Sequence, residues 1–285
     1  MPLVFFITGA SSGFGTELAL KALSQNHAVI ATVRNRQRAH EAVTKIQAQG
    51  GTILELDVTD APACFSVWNE ALQIHGHIDV LINNAGLAYL GANEDFTDEE
   101  VHAQMDVNFY GPYRLIRAAL PSFRQRKSGT IVNVSSVAGI DGLPACGLYA
   151  ASKFALEGMS EALARDVADH NINVLIVEPG AFRTNFLGAY FTNNKEHVEE
   201  YPIVKQVLER FKAVAGTQNG DPAKAAERIV EVVSGQGIAG SLKGKVLRLP
   251  LGTDCVGRFE AKIESLKGDL EKTRSVAGST DFDEE

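Results

Sequence analysis

The stretch Leu3-Val4-Phe5-Phe6-Ile7-Thr8-Gly9-Ala10-Ser11-Ser12-Gly13-Phe14-Gly15-Thr16-Glu17-Leu18 decides how the rest of the chain is read. It opens as an apolar run suited to a buried strand and closes on Leu18, Leu20 and Leu23, the apolar positions of a helix. Between them, Thr8-Gly9-Ala10-Ser11-Ser12-Gly13-Phe14-Gly15 is a glycine-rich turn. Glycines let a backbone turn tightly and approach a ligand closely, and the amides at the start of the following helix attract a pyrophosphate. Ser11 and Ser12 add hydroxyl donors. A glycine-rich turn alone also serves as a plain connection. With a strand before it and a helix after it, nucleotide binding is the favoured reading, and Gly9, Ser11, Ser12, Gly13, Phe14 and Gly15 become cofactor candidates.

Outward from this turn, short apolar runs alternate with helical stretches: Leu3–Thr8, His27–Val33, Thr52–Leu56, Ile78–Ile82, Thr130–Val134 and Ile172–Val177. None alternates apolar with polar, so each is expected to be covered on both faces. With Lys245–Leu249 as a last strand, the pattern predicts an α/β fold: a doubly wound, Rossmann-type parallel sheet of about seven strands in a single domain. Ligands of such sheets sit at the C-terminal ends of the strands. The residues there, Gly9–Gly15, Arg34, Asp57, Asn83–Gly86, Ser135–Ser136 and Pro179–Thr184, form one rim. Residues 1–252 read as a catalytic domain. Within it, 185–220 is a polar, irregular segment with an amphipathic helix near Val204–Val214, placed to cover a substrate. Asp221-Pro222 starts another helix, the aspartate as cap. Residues 253–285 read as a helix over about Asp254–Arg274 and a solvated acidic tail.

The bulk numbers narrow the function. A chain of 285 residues, 45% hydrophobic, can bury one large core. Its net charge of -8 argues against a nucleic-acid partner, which needs clustered Lys and Arg. No apolar run is long enough to span a bilayer, and the N-terminus reads as a core strand instead of a signal peptide. The cysteines Cys64, Cys146 and Cys255 lack the spacing of a disulfide framework or a metal site, so no metal is expected and the reducing cytoplasm is the expected location.

Chemistry enters at Tyr149-Ala150-Ala151-Ser152-Lys153. On a helix, residues four apart share a face, so the phenol and the amine can cooperate. A phenol titrates near pH 10, and a neighbouring ammonium is expected to make it more acidic. Thirteen residues before the tyrosine, Ser136 ends Ile131-Val132-Asn133-Val134-Ser135-Ser136, with Ser135 as the alternative hydroxyl. Asn83-Asn84-Ala85-Gly86 follows the fourth strand, Asn108 sits in Met105-Asp106-Val107-Asn108-Phe109-Tyr110-Gly111, and Pro179-Gly180-Ala181-Phe182-Arg183-Thr184 follows the sixth.

As a set, in order, type and spacing, these residues resemble the short-chain dehydrogenase/reductase family, from about Leu3 to Thr184. The resemblance implies that Tyr149 gives and takes the proton and that Ser136 orients the carbonyl. It makes Lys153 the residue that tunes Tyr149 and holds the nicotinamide ribose. Asn108 becomes the fourth catalytic member, its backbone carbonyl placing a water behind Lys153. Asp57 and Val58 would meet the adenine, while Ala85 and Gly86 beside Asn84 leave the cofactor room. Pro179, Gly180, Phe182 and Thr184 would hold the carboxamide, with transfer of the pro-S hydride. Surrounding residues look like members that act on steroid or retinoid alcohols and ketones. The resemblance also makes helices 100–127 and 149–168 the face of a homodimer or homotetramer.

The end of the second strand, Thr32-Val33-Arg34-Asn35-Arg36, carries no carboxylate to hold a ribose 2′-hydroxyl, and Arg34 can pair with a 2′-phosphate. NADP(H) is therefore expected over NAD(H), although Arg34, Arg36 and Arg38 can also be a solvated helix start. Phe182, Phe186, Leu187, Tyr190 and Phe191 can line an apolar pocket or pack a loop onto the core. The expected activity is interconversion of an apolar ketone or aldehyde with its alcohol. The rival readings are a regulatory protein that binds NADP(H) without turnover, and an NAD(P)-linked epimerase.

Overall fold

The protein is described by a computed structural model covering residues 2–192 and 196–282. Seven parallel strands form one sheet in the order β3-β2-β1-β4-β5-β6-β7: β1 Val4–Ile7, β2 Ala28–Val33, β3 Thr52–Glu55, β4 Val80–Asn83, β5 Gly129–Val134, β6 Ile172–Pro179 and β7 Arg248–Leu251. Successive side chains of a strand point to opposite faces. Phe5 and Ile7 therefore enter the core on one side of the sheet, and Val4 and Phe6 the core on the other. That two-sided burial is why the strands show no polar alternation.

Helices α1 (Gly13–Ser24), α2 (His40–Ala48) and α9 (Pro222–Ser234) cover the first side. The second is covered by α3 (Ala61–His75), α5 (Gly111–Arg126) and α6 (Gly147–Asp166), with the short α4 (Asp98–Met105) between α3 and α5 in the chain and α7 (Phe186–Ala189) after α6. Local chemistry sets the helix ends. Asp221 accepts from the amides of Ala223 and Lys224 at 2.9 and 3.3 Å, Pro222 occupies the first turn of α9, and Gly235 ends it in the left-handed conformation. The amphipathic helix of the covering segment is α8, Pro202–Val214.

Two boundaries differ from the sequence reading. The last strand lies three residues later than expected at its start and includes Pro250. A proline has no ladder donor, but β7 is an edge strand paired only to β6, where that loss is tolerated. The C-terminal helix, α10 (Thr253–Gly278), runs four residues beyond Arg274, and the last three residues of the acidic tail lie outside the described residues.

Candidate active site

α6 carries Tyr149 and Lys153 one turn apart at the C-terminal edge of the sheet, beside the end of β5. The Lys153 ammonium lies 5.8 Å from the centre of the Tyr149 ring and donates to the Val134 carbonyl at 2.8 Å. The Ser136 hydroxyl lies close enough to the Tyr149 phenol to favour its phenolate form. It also accepts from the Ala138 amide at 3.1 Å, which fixes the turn that follows β5. Ser135 points elsewhere: its hydroxyl donates to Glu157 Oε1 at 2.5 Å inside the core. Of the two serines, Ser136 is the one that shares a space with the tyrosine.

Electrostatics here depart from the expectation that Lys153 acidifies Tyr149. Burial pushes the phenol above its ordinary value; the nearby Ser136 hydroxyl offsets this in part, and the nearby Cys146 adds to it. Burial likewise lowers the Lys153 ammonium to about 8, opposed by Glu157. Removing a charge from water costs more here than one ammonium across 5.8 Å returns. The phenol is therefore held in its protonated form.

Asn108 lies in a single π-helical turn, Asp106–Tyr110, between α4 and α5, where the Gly111 amide reaches back to the Asp106 carbonyl. Such bulges widen a helix and free a backbone group locally. The Asn108 side chain takes the Leu87 amide on Oδ1 at 2.9 Å and donates through Nδ2 to the Leu87 carbonyl and to Ser152 Oγ, both at 3.0 Å. Ser152 in turn donates to the Tyr149 carbonyl at 2.7 Å. Asn108 thus stitches the loop after β4 to the helix of Tyr149. Gln104, which sequence reasoning missed, does the same work from α4 by accepting from the Tyr89 amide and donating to the Leu87 carbonyl, both at 2.8 Å. Nothing in a lone polar residue of a helix announces that role.

Behind Lys153, one turn further along α6, Glu157 shares the Arg248 guanidinium with Glu178, and Glu161 joins at 2.7 Å. Glu157 and Glu178 are buried. Burial, followed by the neighbouring Glu157 charge, holds the Glu178 carboxyl well above the usual carboxylate range, while Arg248 opposes both. This cluster leaves no local mark in the sequence, because its members come from α6, β6 and β7.

The glycine-rich turn fits a dinucleotide. Gly9 has φ +66°, and a Cβ on it would stand 2.7 Å from the Ala85 Cα, so the turn and the loop after β4 approach as only glycine allows. Asn84 locks that approach by donating to the Thr8 and Gly9 carbonyls at 2.9 and 3.1 Å, while the Asn84 and Ala85 amides both bond Thr8 Oγ1 at 3.0 Å. Gly86 faces Asn108 and the Lys153 ammonium at ordinary contact distance. On the other side, Phe14 meets Phe182 edge to face at 5.1 Å, and Thr184 lies over Gly13. Ser11 and Ser12 stay exposed at the start of α1.

At the adenosine end, the three arginines separate. Arg36 donates to the Ile53 carbonyl at 2.7 Å, whereas Arg34 is exposed and forms no ion pair among the described residues. Asp57 accepts from the Thr59 amide and hydroxyl, at 3.0 and 2.7 Å, both on Oδ1. Val58 is buried, and a Cβ on Gly111 would press on it at 2.9 Å. At the nicotinamide end, the Gly180 amide bonds the Leu251 carbonyl at 2.8 Å, and Asp254 accepts from the Ala181 amide at 2.8 Å.

The described residues of the segment 185–220 cover the tyrosine. Phe186 stacks obliquely on Tyr149 at 5.5 Å, and Phe191 stacks on Tyr89 at 5.0 Å while its backbone pairs with Ala88 and Leu90. Val198, Val204 and Leu208 pack with Ala88, Leu90, Cys146 and Tyr149 in a third apolar cluster, with Leu143 and Tyr190 at its edge. The expected aromatic lining is thus divided: Phe186, Tyr190 and Phe191 gather beside Tyr149 and Tyr89, and the Phe182 ring packs against Phe14 instead. A buried Asp95 holds this cover down, bonding His197 Nδ1 at 2.7 Å and the His197 amide at 3.2 Å.

Comparison with known proteins agrees with this geometry. An oxidoreductase of Passalora fulva, claN, is 48% identical over 190 residues, which cover 66% of this chain and 86% of that protein. A 3-ketodihydrosphingosine reductase of Bacteroides thetaiotaomicron is 36% identical over 239 residues, 82% of this chain and 84% of the relative. The crystal structure of a short-chain dehydrogenase from Streptomyces avermitilis superposes with a TM-score of 0.88 at 37% identity, covering 99% of this chain and all of that one. A metagenomic short-chain oxidoreductase solved in complex with NADP matches with a TM-score of 0.60 at 33% identity, over 64% of this chain and 83% of that one. The family model described as short chain dehydrogenase matches residues 3–195. On the shared sheet, turn and tyrosine helix, the chain belongs to the short-chain dehydrogenase family of oxidoreductases.

Proposed function

We propose that the protein is an NADP(H)-dependent reductase of apolar ketones or aldehydes, reversible as an alcohol dehydrogenase. The observation that carries this reading is the convergence of Ser136 and Lys153 on the buried Tyr149, with Phe186 against the Tyr149 ring. When bound, the nicotinamide supplies hydride to the carbonyl carbon. Ser136 holds the carbonyl oxygen, and Tyr149 gives that oxygen its proton. The buried phenol stays protonated at neutral pH, the state that reduction requires. Lys153 and the Asn108 turn lie on the path by which that proton is replaced. In oxidation Tyr149 accepts the proton, and its phenolate then depends on the Lys153 charge.

The cofactor would rest its diphosphate on Gly9, Ser11, Ser12, Gly13, Phe14 and Gly15, with Asn84, Ala85 and Gly86 as the floor. Asp57 and Val58 border the adenine, and Pro179, Gly180, Phe182 and Thr184 the carboxamide. Arg34, exposed and without an acidic partner among the described residues, supports the choice of NADP(H). So does the NADP held by the metagenomic relative. The relative that reduces 3-ketodihydrosphingosine and the apolar cluster under α8 support an apolar carbonyl substrate. Exposed Tyr110, Tyr113 and Phe154 on the helices of residues 100–127 and 149–168 support a homo-oligomer through that face.

The test is NADPH consumption, followed by absorbance, across a panel of ketones and aldehydes of rising chain length. Turnover with NADPH, falling steeply with NADH, is the expected result. Tight cofactor binding with no turnover across the panel would instead indicate a sensor.

A further inference from the structure

α10 is 26 residues long, about 39 Å at the helical rise. Side-chain bonds hold it to the body at its start: Asp254 accepts from the Ala181 amide, Cys255 donates to the Glu178 carbonyl and Arg258 pairs with Asp141. Its outer face stands in solvent, with Val256 between those anchors and Ile263, Leu266 and Leu270 beyond them at 44, 57, 55 and 56% exposure. These residues and Phe259 recur at alternate spacings of three and four, continued by Thr273 and Ala277. That spacing puts them on one side of the helix, the pattern of a two-helix seam. A solvated helix gains little from such a stripe unless something covers it.

We propose that this stripe docks against α10 of a second copy of the chain, the two helices antiparallel about a twofold axis between Glu264 and Ser265. In that register Ile263 meets the partner's Leu266, Phe259 the partner's Leu270 and Val256 the partner's Thr273, each contact occurring twice. The flanking charges then match without exception. Glu260 faces the partner's Lys267, and Lys262 faces the partner's Asp269, giving four opposite-charge pairs over the two copies. A parallel pairing would set Lys262 against the partner's Lys267. The charge balance also disfavours an anionic membrane as the cover. Asp254, Glu260, Glu264, Asp269 and Glu271 offset Arg258, Lys262, Lys267, Lys272 and Arg274, five against five, and a membrane-surface helix carries an excess of Lys and Arg.

Light scattering after gel filtration of the full chain tests this. Ile263→Lys with Leu266→Lys halves the mass relative to the parent, whether a tetramer falls to a dimer or a dimer to a monomer, with circular dichroism and cofactor binding unchanged. Lys262→Asp raises the dissociation constant about tenfold or more, and adding Asp269→Lys restores it. With cysteines at 262 and 269, mild oxidation links two chains, since two positions seven apart on one helix are too distant to bridge each other. A monomeric parent chain, an unchanged mass in the lysine variant, failure of the charge swap to restore association, or flotation of the parent with phosphatidylserine vesicles that the lysine variant loses would each overturn the proposal. None of these readouts depends on turnover, so failure here leaves the proposed reaction standing.

Discussion

Replacing Tyr149 by Phe removes one hydroxyl from a buried ring and leaves its packing against Phe186 in place. Turnover is expected to fall by about 10²–10⁴-fold, the usual contribution of a positioned acid, while fluorescence titration shows unchanged cofactor affinity. Arg34→Ala is expected to lower catalytic efficiency with NADPH by about 10- to 100-fold and to leave NADH nearly untouched, the loss of a charge-assisted contact. Both positions can be singled out in the sequence because each lies at a strand end or in a short motif. The protonated state of Tyr149 was not legible. It depends on how much of the α6 environment is dry, which no spacing of tyrosine and lysine records. Glu157 escaped notice for a related reason: its partners Ser135, Glu178 and Arg248 come from the residue after β5, from β6 and from β7, and only the sheet brings them together.

The elements that cover the site are pinned at identifiable points. Asp95 is buried, and its bond raises the His197 proton affinity above the ordinary histidine value. A raised value means that the charged pair is complete below pH about 6.5 and is lost as pH climbs through the shifted value. If α8 and its flanks cover the substrate, KM rises over that interval while kcat changes little, and Asp95→Asn raises KM several-fold at every pH and removes the dependence. Steady-state kinetics between pH 6 and 9 would show it. Element boundaries were readable where capping residues announce them, as at Asp221-Pro222. They were misread where tertiary position overrides local preference, as with Pro250 on the outermost strand.

For the molecule as a whole, the seven-stranded sheet could be read from two-sided apolar runs, since burial on both faces leaves the same signature in every strand. The polar cluster inside it could not. Arg248→Met would strand the Glu157 and Glu178 carboxyls in the core, and urea unfolding is expected to show a loss of about 3–5 kcal/mol. Glu178 also gives stability a pH slope. Its folded state keeps a proton that the unfolded chain releases in the normal carboxylate range, so stability falls as pH rises from that range until Glu178 itself ionises. Glu178→Gln should flatten this slope in unfolding curves collected across the same interval.

The opening turn of α10 reaches back to three places at once: the Ala181 amide, the Glu178 carbonyl and Asp141 in the loop after Ser136. A protease nick or a deletion just past Leu251 would therefore slacken the two loops that frame the tyrosine, even though the severed residues touch neither hydroxyl. Enzyme clipped there should keep its sheet by circular dichroism yet lose turnover, and an affinity tag is better fused after the helix than in place of it.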